Sequence, residues 1–87
     1  MDRRDEILTI LAEECAEVIQ EVMKVKRFGD QEYNGESAMQ RLVKELGDIE
    51  CMINLMQEFD MINFEELETQ AVSKRLKLEK WSNIFES

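Results

Sequence analysis

Apolar residues recur at helical spacing along three stretches of this chain. From Asp5 to Lys26 the series Ile7, Leu8, Leu11, Cys15, Val18, Ile19, Val22 and Met23 returns every three or four positions. That is the period at which side chains share one face of an α-helix. Arg27-Phe28-Gly29-Asp30 reads as the end of this helix, with a basic residue in the last turn and glycine beyond it. The stretch Gln31 to Glu36 contains Asn34-Gly35, a turn signal. Ser37 is placed to cap a second helix. Met39, Leu42, Val43, Leu46, Ile49, Met52, Ile53, Met56 and Phe59 carry that helix on. Asp60 to Asn63 reads as a short connector. A third helix is predicted over Phe64 to Trp81, with Leu67, Ala71, Leu78 and Trp81 as its apolar positions. The chain has no proline and shows no repeat, linker or low-complexity segment. The pattern predicts one all-α domain over residues 1–87.

Two acidic clusters interrupt the apolar stripes. Glu13-Glu14-Cys15-Ala16-Glu17 lies on the first helix and Glu45-Leu46-Gly47-Asp48 on the second. Glu14 and Glu17 are three residues apart, as are Glu45 and Asp48, so each pair shares one side of its helix. At about 100° per residue the first apolar stripe centres near Cys15 and Val22, with Glu14, Glu17 and Glu21 along one flank. The second centres near Leu42, Ile49 and Met56. Glu45 falls only about 40° from that centre, and Asp48 sits at its border. An ionised glutamate inside an apolar stripe costs several kcal/mol unless it is paired. If the two helices pack side by side, a divalent cation is the simplest way to hold four carboxylates together. A four-carboxylate set with open water positions describes a Mg²⁺ site that meets a phosphate.

Charge and composition narrow the chemistry. The 87 residues carry 20 Asp and Glu against 11 Lys and Arg, a net charge of −9. That balance argues against a nucleic-acid polymer as partner, though not against a nucleotide reached through metal ions. Histidine is absent, which excludes histidine general bases, Ser-His and Cys-His triads and His-ligated metals. Cys15 and Cys51 lie in helical apolar patterns and read as reduced core residues. No apolar run is long enough to span a membrane, and no basic-then-apolar signal opens the chain. The expected setting is the cytoplasm.

Solvated helix faces are the ordinary explanation for acidic residues. They account for Glu65, Glu66 and Glu68, and also for Glu13 and Glu21. They do not account for Glu45. Salt bridges to Lys24, Arg41 or Lys44 would satisfy one carboxylate but hardly four.

The two motifs, taken together, resemble those of the all-α nucleoside triphosphate pyrophosphohydrolases of the MazG-like superfamily. The context is similar too: Leu11-Ala12 before the first motif, Val18-Ile19-Gln20-Glu21 after it, and Arg27-Phe28-Gly29 at the helix end. The resemblance covers roughly residues 7 to 81 and is to the short, phage-type members. It implies a small antiparallel helical bundle completed by oligomerisation. It implies hydrolysis of a nucleoside triphosphate to the monophosphate and pyrophosphate. Glu14, Glu17, Glu45 and Asp48 match the superfamily's Mg²⁺ ligands, with Mn²⁺ as a substitute. Glu13 is either an auxiliary or general-base group or a surface residue.

The same resemblance implies basic residues around the substrate phosphates. Lys24 and Arg27 follow the first cluster by one to two turns, and Lys74 matches a lysine that relatives place there. Leu78 departs from the asparagine many relatives carry about a turn later, which puts that polar contact and substrate choice in question. Phe28, Tyr33 and Trp81 are candidates for stacking on a base. A homodimer or homotetramer is expected, also because Met52, Ile53, Leu55, Met56 and Phe59 cover more of the second helix than one thin layer would bury. Within this class the substrate is a nucleotide such as dUTP, dCTP or phosphoribosyl-ATP. The competing class is a non-enzymatic acidic helical adaptor or inhibitor, which gives no reason for Glu45 to face inward.

Overall fold

Side-chain caps set the helix boundaries. The structure is a computed structural model and describes residues 1–86. Helix α1 spans Arg3–Phe28. It starts two residues earlier than the apolar pattern indicates, because the Asp5 N–H donates to the Asp2 carboxylate at 2.8 Å. That bond satisfies one of the donors a helix start leaves unpaired. Gly29 ends the helix at φ 76, a conformation costly for a side-chain-bearing residue.

The Asn34-Gly35 turn does more than connect. Strands β1 (Glu32–Tyr33) and β2 (Glu36–Ser37) pair antiparallel around it, with Tyr33 opposite Glu36. Asn34 and Gly35 both have positive φ, at 54 and 81, as a tight two-residue hairpin turn requires. The Asp30 carboxylate accepts the Met39 N–H at 2.8 Å, which ties the end of α1 to the start of α2. Helix α2 spans Ala38–Glu58. Ser37 and Gln40 cap it reciprocally, each side chain bonding the other's backbone N–H. Helix α3 spans Phe64–Trp81, and Asn63 caps it through the N–H groups of Glu65 and Glu66.

The short link makes α1 and α2 antiparallel, and their seam is the packed part of the molecule. Ile7, Leu11, Glu14, Val18, Glu21 and Val25 are buried or half-buried on α1. They alternate four and three residues apart. Ala38, Leu42, Glu45, Ile49, Met52 and Met56 do the same on α2. This is the spacing at which two helices interlock along a straight seam. Among the described residues only Ile7, Ala38 and Met52 are fully buried.

Two expectations need correcting. Cys15 and Cys51 are free thiols but exposed, not core. The apolar arc of α1 is wider than one helix can cover, and α2 packs along its glutamate-bearing edge. Cys15 and Val22 at the expected centre, and Ile19 at 63% exposed, are thereby left outside. Glu21 likewise belongs to the seam and not to a solvated face.

The single chain is helical with one small hairpin, and it does not close a bundle. Helix α3 scarcely touches the α1/α2 pair and has no buried residue, and Trp81 is 77% exposed. The molecule measures 39 × 37 × 16 Å, little thicker than one layer of helices. Its radius of gyration is 15.8 Å, against about 12 Å for a compact chain of this length. Among the described residues no helix is long and apolar enough to cross a membrane.

Candidate metal centre

The antiparallel seam brings both acidic clusters to the same level. Glu14 and Glu17 from α1 meet Glu45 and Asp48 from α2, and one oxygen of each lies within 4.8 Å of the others. Packing on both sides holds them there. Ile7, Ile10, Met52 and Leu55 line one apolar groove towards the open end of the pair. Val25 and Ala38 sit towards the hairpin. Glu14 and Glu45 are half-buried, while Glu17 and Asp48 are exposed. The cluster is therefore closed on its inner side and open to solvent on the other.

Among the described residues no side-chain cation pairs with these four groups. Lys24 and Arg41 approach Glu21, at 3.1 and 3.5 Å. Lys44 pairs with Glu36, and Arg75 with Glu79 at 3.4 Å. None of these ion pairs, found among the described residues, reaches Glu14, Glu17, Glu45 or Asp48. One carboxylate oxygen of Glu14 and one of Glu45 are sealed from solvent with no hydrogen-bond partner.

Crowding shows in the acidity of both. The Glu45 carboxyl is pushed up to about 7 from an ordinary 4.5. The main cause is a shared hydrogen bond with Glu17, followed by desolvation and then the charges of Glu17, Asp48 and Glu14. Glu14 is raised too, by desolvation first and by the charges of Glu17 and Asp48 next.

The donor set fits a hard divalent cation. All four donors are carboxylate oxygens, the ligands suited to Mg²⁺, Mn²⁺ and Ca²⁺. Ligand oxygens on opposite sides of such an ion stand about 4–5 Å apart, the spread found here. The sealed, unpartnered oxygens of Glu14 and Glu45 are the groups a cation would satisfy. The cluster can hold a metal ion.

The remaining expected site residues separate. Lys24 lies near the centre, two turns beyond Glu17, and holds Glu21. Arg27 turns away, its guanidinium 5.2 Å from the Phe28 ring centroid, lining a groove with Ile19 and Met23. Lys74 is exposed on α3 and makes no ion pair among the described residues. Glu13 is exposed and outside the cluster. Among the described residues, then, Lys24 alone of the three basic residues pairs with a seam glutamate, Glu21, and none pairs with the four carboxylates.

Arg41 and Glu21 are the residues the sequence reading undervalued. Arg41 lies one turn before Glu45, and its side chain is 24% exposed; that of Glu21, one turn after Glu17, is 12% exposed. The Arg41 guanidinium also donates to the Glu36 carbonyl at 3.0 Å. The seven-residue step from Glu14 to Glu21 was the available signal, since it returns to the same edge of the helix. No family model matches the chain, and no curated protein or solved structure matches it significantly.

Proposed function

We propose that this protein is a Mg²⁺-dependent nucleoside triphosphate pyrophosphohydrolase, cleaving the α–β anhydride to release the nucleoside monophosphate and pyrophosphate. The observation that carries the reading is the convergence of Glu14, Glu17, Glu45 and Asp48 without a neutralising cation. The motif resemblance supplies the reaction. Glu14, Glu17, Glu45 and Asp48 would hold the metal. When bound, it neutralises phosphate charge and lowers the pKa of a coordinated water. Lys24, and Arg41 as positioned by Glu21, provide positive charge along the seam beside the carboxylates for the substrate phosphates. The inner wall of the seam excludes water from Glu14 and Glu45, which strengthens the electrostatics there. Cytoplasmic nucleotide pools are the setting this reading assumes.

Product analysis tests the reaction. Incubation with a panel of ribo- and deoxyribonucleoside triphosphates and Mg²⁺ is expected to yield monophosphate and pyrophosphate in equal amounts. Orthophosphate with the nucleoside diphosphate as the products would refute α–β cleavage. Absence of turnover on every nucleotide would favour a helical adaptor.

The same reading includes a homo-oligomer. Ile19, Met23, Val43, Leu46 and Trp81 are among the large apolar side chains one chain leaves uncovered, more than monomeric surfaces carry in scattered form. A second copy would also bring further basic residues, Lys74 among them, towards the carboxylates. Sedimentation equilibrium is expected to give a dimer or tetramer at micromolar concentration. A monomer at all concentrations would leave Lys74 without a route to the site.

A further inference from the structure

The seam does not end at the carboxylates. Beyond Glu21 and Arg41, where the helices turn into the hairpin, lies a half-open cavity of about 220 Å³. Lys24, Phe28, Gln31, Tyr33 and Arg41 contribute to its walls. It is smaller than the roughly 300–1,000 Å³ of pockets that take a whole ligand, so it suits one ring system better than a complete nucleotide. Two aromatic side chains border it, and both remain largely uncovered, Phe28 at 56% and Tyr33 at 73%. The Gln31 amide offers both a donor and an acceptor.

We infer that this cavity receives the base of the substrate, with the nucleotide lying along the seam and its phosphates towards the carboxylates. The inference rests on the nucleotide reading above and adds its direction. Three positions set that direction. Arg41 is about 6 Å along the helix axis from Glu45, Lys24 about 10 Å from Glu17, and Phe28 about 16 Å from Glu17. Metal-binding oxygens, cations and aromatic rings thus follow one another in the order that phosphate and base impose on an extended nucleotide. Arg41 stands at the junction. Glu21 and the Glu36 carbonyl hold its guanidinium and leave other N–H groups free to donate. Arg41 is a positioning residue of this arrangement. Tyr33 and Phe28 supply stacking faces, which tolerate any base, while the Gln31 amide is the group that reads its edge.

The test combines kinetics with binding. With the nucleoside triphosphate turned over fastest, Tyr33→Ala is expected to raise KM at least about tenfold, the scale of one lost stacking contact. The change in kcat stays within about twofold, since the loss falls equally on ground and transition states. Tyr33→Phe restores KM because it keeps the ring. In NMR titrations without metal, the corresponding nucleoside monophosphate shifts the Tyr33, Phe28 and Gln31 resonances, and ribose 5-phosphate, which lacks the base, does not. Hydrolysis with an unchanged KM in Tyr33→Ala overturns the base site and leaves the pyrophosphohydrolase reading standing. Base-dependent shifts without hydrolysis leave the base site standing and overturn that reading. If neither probe perturbs these residues, the base site is wrong.

Discussion

Glu45→Gln is expected to lower turnover by about a hundred- to a thousandfold while raising the melting temperature of the metal-free protein. The two effects have one origin. Glu45 sits in the helix seam among Leu42, Ile49 and Met52, with one oxygen sealed and unpartnered, and faces three other carboxylates. A fold selected only for stability has no use for that arrangement, because burying like charges together is costly. Glutamine keeps the shape and removes the charge, so the metal-free helix pair gains stability. It also removes one of four ligands, and loss of a single charge-stabilising group costs an enzyme on the order of a hundred- to a thousandfold. Activity assays and thermal melts in chelator check both halves. A fall in melting temperature would identify Glu45 as a structural partner instead, although no ion pair to it exists among the described residues.

Addition of Mg²⁺ or Mn²⁺ is expected to stabilise the protein strongly, and increasingly so as pH rises. A ligand at a hundredfold excess over its Kd adds about 2.7 kcal/mol, on the order of ten degrees in Tm for a domain of this size. The pH dependence follows from Glu45. In the folded metal-free protein its carboxyl stands at about 7, against an ordinary 4.5. Below 4.5 both folded and unfolded states hold the proton, and the contribution is fully present. Between 4.5 and 7 only the folded state holds it, so stability falls as pH rises through this window. Above 7 the loss is complete. Glu14 is shifted in the same direction. A cation displaces the proton, so metal binding strengthens with pH and offsets the loss. Melts in chelator should therefore decline from about pH 5 to pH 7, and saturating Mg²⁺ should flatten that decline. Equal melting temperatures with and without metal at neutral pH would remove the case for a metal centre.

Much of the candidate site was legible along the chain because it depends on local geometry. Glu14 with Glu17, and Glu45 with Asp48, share a face by helical period alone, and Glu45 intrudes into an apolar stripe on any helical wheel. The Ser37 cap, the Gly29 stop and the α3 boundaries also follow from local chemistry. Asp2 is a cap of the same kind, but it precedes the first apolar residue by too far for the pattern to point to it. The two-residue strands were hidden because Asn34-Gly35 marks a turn whether or not its flanks pair. Arg27 was assigned by its distance along the helix from the first cluster, and Lys74 by its match to a lysine of relatives. In the fold one leans on Phe28, and the other stands on a helix with almost no contact to the seam.

The sequence by itself determined three helices, most of their ends, and two carboxylate pairs each on one helix face, because helix periodicity and capping act within a few residues. The tertiary structure alone decided which edge of the α1 apolar arc became the seam. On α1 that arc spans more than one partner can cover, so periodicity leaves several faces equivalent. Tying Asp30 to Met39 and closing the hairpin at Asn34-Gly35 sets the antiparallel register. That register brings Glu14 level with Glu45, seats Glu21 against Arg41, and leaves Cys15, Ile19 and Val22 outside.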